Sequence, residues 1–235
     1  MNCQYVGSEL ALFAAARNWK SYLASQIEPH IGSRVLEVGA GLGSNIPYLC
    51  HRSVERWTAL EPDPALARRI RDRISAAELP DRCEVIIGTL ASVLAAELFD
   101  TVLYIDVLEH IADDAAELVA AAQHLVPAGH LIVVVPAHQY LFSPFDTAIG
   151  HHRRYEARRL ADITPPSCRL IGCWLLDSVG LLASLGNRLF LRSATPSAHQ
   201  IAVWDKILVP MSRTVDRLTG YRFGKTIMAV WARNG

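Results

Sequence analysis

The sequence predicts an α/β fold: an open, doubly wound sheet of seven strands with helices on both faces. Three observations predict it. Short, mostly apolar runs alternate with segments whose apolar residues recur every three or four positions. The first such run, Val35 to Val38, flows directly into glycines at 39, 41 and 43. The second, Trp57 to Leu60, ends at an acidic residue, Glu61. A strand exposed on one face alternates apolar with polar residues; these runs do not, so both faces are covered.

The elements follow in order. Leu12, Ala16, Trp19, Leu23 and Ile27 lie on one face of a helix over residues 8–28, ended by Pro29 and Gly32. After the glycine turn a helix starts near Ser44 and Asn45. Asp63 and Pro64 are an N-cap followed by proline at the first helical position. Leu66, Ile70, Ile74 and Ala77 give that helix its stripe. Cys83 to Ile87 is the third strand, Leu90 to Leu98 a short helix, and Phe99 to Ile105 the fourth strand, ending at Asp106. Ile111, Leu118, Ala122 and Leu125 mark the next helix, and His130 to Val135 the fifth strand, stopped by Pro136. A polar and aromatic loop, residues 137–155, has no periodicity. A short helix over Glu156 to Ile163 and strands at Leu170 to Leu176 and Thr226 to Ala232 complete the count. Roughly fifty residues separate those last two strands, far beyond an ordinary connection. This helical insertion, 178–222, carries a stripe at Ile201, Trp204, Leu208, Met211, Val215 and Leu218, with Pro210 as a point of kinking. Core packing is the first reading of that stripe; a lid or a homodimer seam is the second.

Composition narrows the function classes. The chain has 235 residues, 51% of them hydrophobic, with 23 Lys+Arg against 23 Asp+Glu. One domain is expected, 1–235. Zero net charge argues against nucleic acid as partner. Mean hydropathy is +0.20, yet the most apolar stretch, 170–191, is broken by Asp177, Asn187 and Arg188, so no transmembrane segment is expected. The amino terminus has no basic or hydrophobic signal pattern, and a cytoplasmic protein is expected. The five cysteines, Cys3, Cys50, Cys83, Cys168 and Cys173, lack ligand spacing and read as reduced thiols; no metal is expected.

The glycine turn carries the chemistry. A turn without side chains lets a ligand approach the backbone. Glu61, 18 residues beyond Gly43, suits the two hydroxyls of a ribose. A dinucleotide fingerprint fails at Ser44, and no GK[ST] phosphate loop exists. Glu37 disfavours a diphosphate and favours a cationic ligand. S-adenosylmethionine, with a sulfonium, an ammonium and an adenosine, is such a ligand.

VLEVGAGLG followed by ALEPDP resembles the first two motifs of the class I S-adenosylmethionine-dependent methyltransferases. FDTVLYIDVLEHI from Phe99 and PAGHL from Pro127 resemble later motifs of the same family, in the same order. The resemblance covers roughly residues 15–136. It implies a Rossmann-like seven-stranded sheet with an antiparallel last strand. It implies that Glu37, Gly39, Ala40 and Gly41 line the methionine part of the cofactor. Glu61 would hold the ribose, Pro62 flank the adenine, and Asp106, Val107 and His110 sit beside the methyl. The acidic residue often found after the third strand is replaced by Gly88-Thr89-Leu90, so Thr89 and Leu90 are the candidates there. Trp19 is a candidate cover, with a core role as its first reading. The loop from Asp146 to Tyr155 resembles a D-x-x-x-G-H-x-R-R-Y pattern of a bacterial methyltransferase subgroup.

The expected reaction is in-line methyl transfer to a small-molecule acceptor, through oxygen or nitrogen. His110 and His151 are candidate bases, Asp146 orients a histidine, and Tyr155 adds a phenol. Each has a plainer reading: Glu37 bonded to backbone amides, His110 capping a helix near Asp113, Arg153 and Arg154 paired with Glu156, and a solvated loop. Competing functions are loss of another cofactor carbon with release of methylthioadenosine, an NAD-dependent oxidoreductase, and a non-catalytic binding module.

Overall fold

The computed structural model describes residues 9–186 and 197–235. Cys3, the 187–196 part of the insertion and the Leu12 side chain lie outside the described residues.

Seven strands form one sheet: β1 (Arg34–Val38), β2 (Arg56–Glu61), β3 (Cys83–Ile87), β4 (Phe99–Ile105), β5 (Leu125–Pro136), β6 (Cys168–Leu176) and β7 (Thr226–Arg233). Their order is β3-β2-β1-β4-β5-β7-β6, and only the pairings of β7, with β5 and with β6, are antiparallel. The strand count and the antiparallel last strand agree with the sequence. Alternate residues feed two cores. Leu103 and Ile105 join one, with Trp57, Ile70 and Met228. Val102 and Tyr104 join the other, with Leu118, Tyr155 and Trp231. Strands buried on both faces read as continuous apolar runs because each face meets helices.

Helix α4 (Pro64–Ser75) starts as expected: the Asp63 carboxylate accepts the amides of Ala65 (2.7 Å) and Leu66 (3.2 Å). Three expectations need correction. The helix expected over 8–28 is two, α1 (Glu9–Ala14) and α2 (Arg17–Ile27). The break follows a tertiary cap. Buried Asp205 accepts the amides of Asn18 and Trp19 at 3.3 and 2.9 Å, doing for α2 what an N-cap residue does. The helix expected over 90–98 is only a 3-10 turn, Leu90–Ser92; Leu90 and Val93 bury while Leu94 is exposed, too little apolar surface to hold a helix. The fifth strand begins earlier than expected, at Leu125, because pairing with β4 bulges between Phe99 and Thr101.

Between β1 and β2 lies α3 (Ile46–Leu49), and between β4 and β5 lies α5 (Asp114–Gln123). Between β5 and β6 are α6 (Pro144–Ala148) and α7 (Ala157–Asp162). The insertion holds α8 (Ser178–Gly186), α9 (Ala198–Val203) and α10 (Val209–Leu218). A π-helical turn, Trp204–Leu208, joins α9 to α10. Its extra residue rotates the buried face. Ile201 and Trp204 are buried as the stripe requires, but Met211 and Leu218 are exposed, and Val209, Ser212 and Asp216 are buried instead. The break thus lies ahead of Pro210, within a π turn. Among the described residues no helix is long and apolar enough to cross a membrane.

Candidate active site

The turn after β1 is built by backbone. Gly39, Gly41 and Gly43 have φ of +70°, +58° and +64°. The amides of Gly39 and Ala40 both donate to the Leu60 carbonyl, at 2.8 and 3.1 Å. A Cβ at Gly39 would lie 2.6 Å from Val107 Cγ2, whereas one at Gly41 would meet only Leu10 of α1, at 3.7 Å. Gly39 is thus required by packing as well as by φ, while Gly41 keeps space above the turn. Glu61 is buried and joins the two loops: its carboxylate accepts the Gly41 amide (2.7 Å) and the Asp63 amide (2.8 Å). Burial raises its pKa, and those two amides oppose the rise. Pro62 is half-buried between Glu61 and Asp63, Thr89 is exposed and Leu90 is buried.

Glu37 is buried, but not on backbone amides. Asn45 Nδ2 and Trp57 Nε1 each donate to its carboxylate at 3.1 Å. Burial pushes its pKa up to about 7; the two donors and Lys20 act against that. Lys20 was not singled out by the sequence. Its ammonium donates to Ser44 Oγ (3.0 Å) and Asn45 Oδ1 (3.1 Å), and burial lowers its pKa against the pull of Asp106, Glu37 and Asp205. A lysine on an amphipathic helix looks like any solvated charge, so no local signal marks it. Trp19 belongs to the core: its ring packs on Tyr22 (6.0 Å) and Trp204 (5.6 Å). This packing is the core role expected first from the sequence.

On the other side of the turn, β4 ends at Asp106, whose φ is +54°. Such a backbone state in a residue other than glycine costs on the order of 1–3 kcal/mol and gathers at functional sites. Its surface is open, yet the surrounding protein displaces enough water to raise its pKa, while His151, Lys20 and Lys225 pull it down. Val107 and a 3-10 turn, Leu108–His110, follow.

The loop after β5 folds against that turn around Asp146. This buried carboxylate accepts from Ser143 N (2.9 Å), Ser143 Oγ (2.8 Å), Arg154 Nε (2.9 Å) and Arg154 Nη2 (3.0 Å), and lies 3.0 Å from His151 Nδ1. Burial alone would raise its pKa; the bonds from His151, Arg154 and Ser143 prevail and hold it well below the usual range. A carboxylate only accepts, so His151 donates to it through Nδ1 and leaves Nε2 as the ring nitrogen on the other side. That nitrogen lies 3.8 Å from Glu109 Oε1. The His110 ring meets the His151 ring edge-on at 4.6 Å. Burial and then His151 push His110 down to about 4, so it is neutral at pH 7.

Two expectations for this loop are corrected. The Tyr155 phenol, expected to serve the chemistry, is fully buried and donates to the Leu108 carbonyl (3.2 Å) and Asp114 Oδ2 (3.0 Å), so it braces the loop from within the core. Arg153 and Arg154 pair not with Glu156 but with Asp114 (3.0 Å) and Asp146. Glu109, missed by the sequence reading, is fully buried, and neither of its carboxylate oxygens has a hydrogen-bond partner among the described residues. Its position beside His110 in the sequence was the signal available.

Residues 36–133 match a family model described as a methyltransferase domain. No curated protein matches the sequence significantly. Several solved structures share the fold at low identity. Coclaurine N-methyltransferase bound to N-methylheliamine and SAH is 14% identical, with a TM-score of 0.63 over 93% of this chain and 73% of that one. An S-adenosylmethionine-dependent methyltransferase from Clostridium acetobutylicum is 10% identical, with a TM-score of 0.60 over 94% and 92%. The cyclase SpnF is 15% identical, with a TM-score of 0.63 over 91% and 81%. The glycine turn, the strand order and the family match converge: residues 36–133 match a methyltransferase domain, and the sheet around them has the Rossmann-like fold of the solved methyltransferases.

Proposed function

We propose that this protein transfers a methyl group from S-adenosylmethionine to a small-molecule acceptor, at the carboxyl edge of β1, β2, β4 and β5. The observation that carries the reading is the pairing of a side-chain-free turn, tied by Glu61, with the Asp146–His151 pair beside Asp106.

The donor set fits the cofactor. Carboxylates at Glu37, Glu61 and Asp106 surround the turn, whereas the lysine there is already engaged by Ser44 and Asn45. That balance suits a sulfonium and disfavours a diphosphate. Gly39, Ala40 and Gly41 would hold the methionine part and Glu61 the ribose. Pro62, Thr89 and Leu90 would flank the adenine, and Asp106, Val107 and His110 the acceptor side. When bound, the cofactor supplies an electrophilic methyl. The chain's own task is to position the acceptor and manage its proton. Asp146 fixes the His151 ring so that Nε2 faces Glu109 and the ring meets His110 edge-on. Burial raises the pKa of both Asp106 and Glu109; His151 opposes the rise at Asp106, and Asp106 adds to the rise at Glu109.

A small acceptor is favoured by zero net charge and by the hydrogen bonds that join Trp204 and Asp216 of the insertion to Asp177 at the end of β6. A reducing, cytoplasmic setting is favoured by the free thiols of Cys50 and Cys83, whose sulfurs lie 3.9 Å apart without a bond.

Turnover with methyl-labelled S-adenosylmethionine and a panel of small amphipathic alcohols, phenols and amines tests this reading. Label in the acceptor, with S-adenosylhomocysteine as coproduct, is expected. Methylthioadenosine carrying the label would instead mean loss of another carbon.

A further inference from the structure

Glu109 poses a physical problem that the methyl-transfer reading leaves open. Both oxygens of this buried carboxylate lack a hydrogen-bond partner among the described residues, and native proteins rarely leave such a group without a function or an ion. Burial raises its pKa well above the usual range, and Asp106 and Asp146 add to that rise while Arg154 opposes it. The groups that face it are two imidazoles. One ligating atom each from Glu109, His110 and His151 lies within 4.8 Å of the others.

We propose that Glu109, His110 and His151 bind one divalent transition-metal ion. Two imidazoles and a carboxylate are a sufficient protein ligand set for zinc and its neighbours, and leave a coordination position open. Ligand atoms about 2.1 Å from such an ion stand roughly 3.4 Å apart, so the 3.8 Å between His151 Nε2 and Glu109 Oε1 needs only a small adjustment. The ring orientations are already fixed from behind. His151 Nδ1 is held by Asp146 at 3.0 Å, the carboxylate–histidine arrangement that sets the free nitrogen toward a metal. The His110 ring hydrogen-bonds the Gly150 backbone. Arg154 and Ser143 hold Asp146 in turn.

The site itself does not depend on methyl transfer. Its use does rest on that reading: a metal beside Asp106 would bind an acceptor hydroxyl and lower its pKa, so that the acceptor reacts as an oxyanion. His151 then acts as ligand, and the metal replaces the imidazole base.

The test uses the full chain, freed of metal with a chelator and titrated with Co²⁺, read by visible absorption, with Zn²⁺ as competitor. One equivalent is expected to bind and to be displaced by Zn²⁺. Glu109→Gln, His110→Asn and His151→Ala should each weaken binding at least about tenfold. The exposed His199→Ala and the buried-thiol variant Cys50→Ser should leave it unchanged. Circular dichroism of each variant checks folding, and either histidine variant serves if Glu109→Gln does not fold. Absence of saturable binding, or binding lost only in Cys50→Ser, overturns the proposal. A chain that binds no metal but methylates refutes this inference alone. A chain that binds one equivalent but never methylates refutes the methyl-transfer reading alone.

Discussion

Replacing His151 with alanine is expected to lower turnover about 10²–10⁴-fold, the range for loss of a group that manages a proton in the reaction. Cofactor affinity should change less than about twofold, because His151 contacts Asp146, Glu109 and His110 and none of the residues of the glycine turn. Asp146→Asn should lose part of the same effect. An amide there donates as well as accepts, so it no longer specifies the Nδ1–H tautomer, and it loses the ion pair with Arg154. Steady-state rates with cofactor affinity measured separately check this. Unchanged turnover in His151→Ala would mean that positioning alone suffices and that the loop has no part in proton transfer.

Asp177→Ala is expected to cost about 3–5 kcal/mol of folding stability, the usual consequence of removing one member of a buried charged network. Asp177 is fully buried. Its carboxylate accepts from Trp204 Nε1 (2.7 Å), Ser212 Oγ (2.7 Å) and the Gly180 amide (3.1 Å), and lies 3.3 Å from Lys225 Nζ. Asp216 completes the network, accepting the Tyr22 hydroxyl and the Asp177 amide, each at 2.7 Å. These bonds dock the insertion onto α2 and the sheet edge. Alanine leaves the Trp204 N–H and Ser212 hydroxyl without an acceptor in a site that excludes water. A loss of that size corresponds to a fall in Tm of about 10 °C for a chain of this length. A fall of only a degree or two would show that the network contributes little.

What was legible in the sequence is what local chemistry encodes. Apolar runs such as Leu131–Val135 identify strands, because a strand covered on both faces needs no polar side. The Asp63–Pro64 start was readable because its cap lies next to its helix. What stayed hidden depends on partners far away in the chain. No pattern near Ala16 announces the break between α1 and α2, since the capping carboxylate lies 187 residues from Asn18. The stripe from Ile201 to Leu218 misled because one π turn shifts every later residue around the axis. In the site, glycines and the acidic strand end carry a spacing that can be read. Lys20 and Glu109 do not, because only tertiary burial separates them from ordinary surface charges. Tyr155 is the reverse case: a reactive residue type inside a conspicuous loop, used to hold that loop in place.

The central claim is that the glycine turn and Glu61 bind S-adenosylmethionine, and calorimetric titration of the full chain tests it most directly. The account predicts saturable one-to-one binding of S-adenosylmethionine and S-adenosylhomocysteine, no heat with NAD, and affinity lowered at least about tenfold in a folded Glu61→Ala variant, consistent with loss of charge-assisted hydrogen bonds. Undiminished affinity in that variant, or binding of NAD in place of S-adenosylmethionine, would contradict it.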